Sequence, residues 1–173
     1  AIKNGLEDIN IESSLVVGDL LMMILDIVNK QDIKYIVMGT NGQNSLGKKF
    51  FGSNTLNVLN NATVPVLIVP HKVKFKKERN FAFATLFNES ENKALAEMDE
   101  VVNRYNKKLK LVHVENKVIT TEMLRVKGEW EEKYPKAKIQ IVNDDDVEGG
   151  LFSYCASNKI DVLGVVHRKL SSF

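Results

Sequence analysis

Gly39, Gly42 and Gly52, with Ser53 directly after the last, form the pattern in this sequence best suited to holding an anion. Gly39-Thr40-Asn41-Gly42 is followed, after nine residues, by Gly52-Ser53. Glycines allow positive φ and close backbone approach, so several N–H groups can converge on one anion, and Ser53 can add a hydroxyl and an amide. A loop in which the glycines merely turn the chain would use the same residues. Placement favours the anion. The apolar run Tyr35 to Met38 precedes the loop, and Leu56, Val58 and Leu59 follow at helical spacing, with Ser53 as the expected N-cap. A phosphate at this turn would therefore also meet the unpaired N–H groups and the dipole of a helix N-terminus. Lys48 and Lys49 supply counter-charge nearby and are read as solvated.

Other polar groups lack the spacing their chemistry requires. Asp144, Asp145 and Asp146 are consecutive, whereas a Ca²⁺ loop alternates its ligands and ends on a distant Glu, so they read as an acidic turn at a helix start. His71, His113 and His167 stand apart from any Cys or carboxylate at zinc spacing, and no metal site is expected. Cys155 falls in a helical stretch beside Phe152 and Tyr154, where a thiol is inert. His167, Arg168 and Lys169 follow a strand as a polar loop; the cluster could contact a phosphate or an acidic partner, but no helix start follows to complete a site. Gly-x-Ser-x-Gly, Walker and Gly-x-Gly-x-x-Gly motifs do not occur, so hydrolase, P-loop and dehydrogenase readings lose their usual signatures.

Alternating elements position the loop. Ile9 to Val17 reads as a strand, Asp19 to Asn29 as a helix, Tyr35 to Met38 as a buried parallel strand, and Val64 to Val69 as an edge strand, since Pro65 lacks a ladder donor. His71 to Arg79 is lysine-rich and reads as a linker lying on acidic surface. Strands at Phe81 to Leu86, Leu109 to Val114, Lys138 to Val142 and Val162 to Val166 then alternate with helices at Glu91 to Tyr105, Thr121 to Lys133 and Gly150 to Ser157. Leu124 and Trp130 are read as core. This alternation specifies an α/β fold, a doubly wound parallel sheet with ligand loops at the carboxyl ends of its strands. Residues 32–38 and 159–165 form a weak internal repeat, so two partial copies of one unit are expected.

Composition bounds the partners. The chain has 173 residues, 44% of them hydrophobic, enough for a real core, and a formal charge of +2 that provides no general field for nucleic acid or anionic membrane. With one cysteine and no basic, apolar leader, a reducing cytoplasm is the expected setting. The apolar runs Leu20 to Leu25 and Val64 to Val69 fall far short of the roughly 20 residues a membrane span needs.

The stretches Val37-Met38-Gly39-Thr40-Asn41-Gly42, Gly52-Ser53-Asn54 and Val64-Pro65-Val66-Leu67-Ile68-Val69-Pro70 resemble the ATP-binding members of the universal stress protein family. The resemblance implies a Rossmann-like fold of the adenine nucleotide alpha hydrolase type. It also implies phosphates held by Gly39, Gly42, Gly52 and Ser53, with Met38 and Asn54 lining the site, and Mg²⁺ only in company with the nucleotide. Residues 1–70 would be the C-terminal part of a first such domain, 71–79 a basic linker, and 80–173 a second domain of a tandem member lacking its last helix and strand. The second copy has Val166-His167-Arg168-Lys169 where the first has its glycine turn, and is not expected to hold ATP in the family manner.

These readings lead to a nucleotide-responsive regulatory protein that binds ATP or a related nucleotide without turning it over. It is expected to be a homodimer through residues 64–69, with no nucleic-acid or membrane partner. The alternatives are a slow ATP hydrolase and a dimerisation scaffold with no nucleotide.

Overall fold

Proline and glycine mark the ends of the strands around the loop. A computed structural model describes residues 10–40, 52–70, 73, 74, 76, 79–116 and 118–168. The chain divides into two compact units, residues 1–74 and 75–173, each taken by itself below.

In the first unit, helix α1 (Leu20–Lys30) opens at Asp19, whose carboxylate accepts the Met22 N–H at 3.0 Å. Strand β1 (Ile36–Gly39) follows, then helix α2 (Ser53–Asn61) and strand β2 (Val66–Val69). β1 and β2 pair in parallel with Ile36 opposite Val66 and Gly39 opposite Val69. The Pro65 carbonyl accepts the Ile36 N–H at 3.0 Å, so Pro65 sits just before the strand and its missing N–H costs no ladder bond. Val58 and Thr55 of α2 and Ile36 of β1 are buried, and α1 buries no residue fully. The expected strand from Ile9 to Val17 does not form among the described residues: 10–17 are irregular, with Leu15 and Val17 almost wholly exposed. A strand exists only through a partner's backbone, and none among the described residues pairs with this stretch.

The second unit is a four-stranded parallel sheet, β3 (Phe81–Ala84), β4 (Lys110–Glu115), β5 (Lys138–Asn143) and β6 (Val162–Gly164), in the order β5-β4-β3-β6. Helices α3 (Asn92–Arg104), α4 (Thr121–Lys133) and α5 (Val147–Ser157) make the crossovers. Strand alternation divides the core. Phe81, Phe83, Leu109 and Leu111 pack on Leu95 and Val102 of α3 and Val126 and Trp130 of α4, while Ala82 and Val112 pack on Tyr154 of α5. Helices thus cover both faces, the doubly wound arrangement.

Helix boundaries follow local chemistry. Thr120 caps α4 through its hydroxyl, which accepts the Met123 N–H at 3.2 Å. Asp146 caps α5 by accepting the Glu148 N–H at 3.1 Å, and α5 begins at Val147, three residues before its expected Gly150 start. The acidic turn 144–146 is thereby a helix entry. Leu124, read as core, is 55% exposed, because α4 turns Val126 and Trp130 to the sheet instead. Part of the basic linker is tied down: Lys76 bonds Asp161 at 2.6 Å, and the Arg79 guanidinium lies 5.9 Å from the Tyr105 ring centroid.

Candidate functional site

Two strand ends carry the candidate chemistry, one in each unit. In the first, Met38 is half-buried and Gly39 is the exposed last residue of β1. A helix crossing between parallel strands runs back along them, so α2 begins at the carboxyl edge where Gly39 ends. Gly52, not Ser53, is the N-cap of α2, and no side chain caps this helix. The first intrahelical bond runs from the Leu56 N–H to the Gly52 carbonyl at 3.1 Å. The amides of Ser53, Asn54 and Thr55 accordingly lie ahead of the helical ladder, where an anion is favoured. Ser53 and Asn54 are exposed. Gly42 and the lysines of the loop lie outside the described residues.

The expected positive φ does not occur at either described loop glycine. Gly52 has φ −68° and ψ 162°, and Gly18 is the glycine with positive φ among the described residues. A Cβ built on Gly39 would meet nothing within 4 Å. What these two glycines provide is the bare backbone surface itself, not access to the left-handed region.

In the second unit the strand order places a switch point at β3, which has β4 on one side and β6 on the other. A cavity of about 230 Å³ opens there. Leu86, Val112, Val114, Leu151 and Val165 contribute its aliphatic walls, and Thr85, Glu91 and Arg168 its polar groups.

Glu91 organises this end of the sheet. It is 2% exposed, and its carboxylate accepts from the Thr85 hydroxyl at 2.7 Å, the Leu86 N–H at 3.2 Å, the Asn88 N–H at 3.3 Å and Arg168 Nη2 at 2.7 Å. Asn88 reciprocates by accepting the Ser90 N–H at 2.9 Å, completing a capping box over the 3-10 turn Glu89–Glu91. The chain reaches this geometry through Phe87, whose φ of 49° is strained for an aromatic residue. Phe87 is 1% exposed and lies between the rings of His113 and Trp130, at centroid distances of 5.2 and 6.0 Å. Its burial offsets the strain. Its N–H also donates to the Thr85 hydroxyl at 2.8 Å. His113 Nδ1 lies 2.8 Å from the Thr85 carbonyl, which can only accept, so the proton of this imidazole bond sits on Nδ1.

Sequence reasoning treated Arg168 as part of a polar loop and missed the role of Glu91. The signal was present as Asn88-x-x-Glu91, a capping-box spacing ahead of an apolar-patterned helix. Cys155, half-buried on α5, has its thiol pushed above the ordinary range by burial, which keeps it protonated and inert. No cluster of metal-ligating side chains occurs among the described residues, nor is any described helix long and apolar enough to cross a membrane.

Residues 3–70 match the family model described as the universal stress protein family. A universal stress protein from Archaeoglobus fulgidus DSM 4304 is similar in structure, with a TM-score of 0.70 and 21% identity over 86% of this chain. The chain spans 55% of that protein. No curated protein matches. The stretch from 3 to 70 is similar in sequence to the universal stress protein family, and the chain has the α/β fold seen in a universal stress protein.

Proposed function

We propose that the first unit binds ATP or a related nucleotide through the turn from Gly39 to Ser53, and that occupancy regulates partner binding. The observation that carries this reading is the start of α2. Three amides precede the helical ladder, no side chain caps them, and the residue leading in is a glycine, which has no side chain to stand in the approach. The family match over residues 3–70 supports a nucleotide rather than another anion. Gly39, Gly42, Gly52 and Ser53 would hold the phosphates, with Met38 and Asn54 lining the site and Mg²⁺ arriving on the nucleotide.

Binding without turnover follows from what surrounds the turn. Met38, Gly39, Ser53 and Asn54 include no carboxylate or imidazole able to activate water. The protein is proposed to act in the cytoplasm as a binder. A slow hydrolase or a scaffold without nucleotide remains the rival outcome of the same assay.

Gly52→Val is the decisive variant. Valine tolerates φ −68° and ψ 162°, so the substitution obstructs the approach without forcing the backbone. Titration calorimetry with MgATP is expected to give saturable binding to the parent and at least about tenfold weaker binding to the variant, a loss of about 1.4 kcal/mol or more. Equal binding by both proteins would refute the site. Phosphate release near the roughly 10 per second of a typical enzyme would refute the binder reading.

β2 supports a second element of the proposal, a two-fold dimer through residues 64–69. Leu67 and Val69 are 46% and 36% exposed, and the edge of β2 away from β1 has no strand beside it among the described residues.

A further inference from the structure

We infer that the cavity at the carboxyl ends of β3, β4 and β6 binds a compact, apolar monocarboxylate, with its body on the aliphatic walls and its carboxylate on Arg168. Its size sets the first limit. About 230 Å³ falls below the roughly 300–1,000 Å³ of pockets that bury drug-sized ligands. At the ~30 Å³ that a water occupies in the liquid, the space takes roughly eight non-hydrogen atoms.

The polar groups set the second limit. The Thr85 hydroxyl donates to Glu91 and accepts from the Phe87 N–H. The Glu91 carboxylate accepts from the Thr85 hydroxyl, two backbone amides and Arg168, so neither inner group has capacity left for a ligand. Arg168 differs. Its side chain is 38% exposed at the rim, and Nη2 is anchored on a carboxylate that is itself 3% exposed. Among the described residues the other guanidinium N–H groups have no partner. Anchoring one nitrogen limits the plane of the fork and leaves donors for an incoming acceptor, an arrangement suited to a planar carboxylate.

Leu86, Val112, Val114, Leu151 and Val165 then select an apolar body behind that head group. A triphosphate is disfavoured on both counts, since the space is small and one cation already shared with Glu91 would face several negative charges. The inference concerns the second unit alone and stands independently of the nucleotide proposal for the first.

The test uses the full chain, with benzoate and 4-methylpentanoate as probes and their neutral amides as isosteres, followed by amide-resolved NMR titration. Each carboxylate is expected to bind saturably with Kd of roughly 1 mM, moving the amides of Leu86, Leu151 and Val165, while the neutral amides bind about tenfold more weakly. Arg168→Gln should weaken carboxylate binding about tenfold, and Leu151→Trp, which fills the cavity, should abolish it. Spectra that retain the parent's dispersion elsewhere identify variants that fold. The isostere comparison needs no variant. Absence of saturation by either carboxylate, equal binding of acids and amides, an unaffected Arg168→Gln protein, or displacement of the carboxylate by ATP would each overturn the inference.

Discussion

Removing the buried carboxylate of Glu91 should damage the second unit far more than removing the arginine that pairs with it. Glu91→Ala deletes the acceptor for the Thr85 hydroxyl and for the Leu86 and Asn88 amides. Thr85 can rotate its hydroxyl, but the two backbone donors cannot turn away, and leaving each of these part-buried amides unpaired costs toward the lower end of about 1–3 kcal/mol. With the lost capping box, the sum is about 3–5 kcal/mol, a large part of the roughly 5–15 kcal/mol that stabilises a domain. Glu91→Gln keeps the shape and one acceptor but turns an amide nitrogen toward a donor, so about 2 kcal/mol is expected. Arg168→Gln removes only the outer partner, whose side chain is 38% exposed, and should cost less than about 1 kcal/mol. Trp130 provides the assay. It is the only tryptophan in the sequence and is 2% exposed in the second-unit core, with Nε1 donating to Asn92 at 2.6 Å. Its fluorescence in urea therefore follows this unit and not the first. At a slope of about 2 kcal/mol per molar, Glu91→Ala should lower the midpoint by about 1.5–2.5 M and Arg168→Gln by under about 0.5 M. Equal losses for the two variants, or a Glu91→Ala loss below about 1 kcal/mol, would refute the view that backbone donors, rather than the ion pair, depend on this carboxylate.

Glycine substitutions in the second unit should differ in sign when followed by the same Trp130 fluorescence. Gly128→Ala, inside α4 with open space at the Cβ position, should stabilise by about 0.5–1 kcal/mol, whereas Gly164→Ala sets a Cβ 3.0 Å from Phe83 Cδ2 and should destabilise by about 1–3 kcal/mol. Asp161 gives a pH signature. The Lys76 hydrogen bond, helped by the Asn80 N–H, holds its carboxyl below the usual range. Its folded pKa lies below its unfolded value of ~4, so the contribution is complete above that value and disappears as pH falls through the folded pKa. Urea midpoints of Asp161→Asn should therefore fall less steeply than the parent's from about pH 5 downward; parallel profiles would count against the contact. Leu67 and Val69 changed together to Lys should turn a dimer into a monomer in light scattering at micromolar concentration, and a parent that is already monomeric would exclude the proposed edge.

The order of strands and helices was readable because it rests on local preferences. Apolar runs bounded by proline and glycine gave β1 and β2, and helical spacing behind Thr120 gave α4 at Thr121–Lys133, where the structure has it. Parallel pairing and helices on both sheet faces followed from the same alternation, because parallel strands require crossovers. The placement of Gly39 and Gly52 at a strand end and a helix start was equally open to a one-dimensional reading. Properties defined by a distant partner were not. Residues 10–17 have the composition of a strand and remain irregular, since no strand among the described residues pairs with them. Leu124 fits the helical pattern, yet its exposure was decided by which side of α4 met the sheet. Gly52 has a conformation open to any residue, since its φ is set by how the chain enters α2 and not by what glycine permits. Glu91 and Arg168 are separated by 77 positions and meet only because β3 and β6 lie side by side in the folded sheet. The cavity beside them has no counterpart in any stretch of sequence, because its walls come from both sides of a sheet order that exists only after the crossovers have closed.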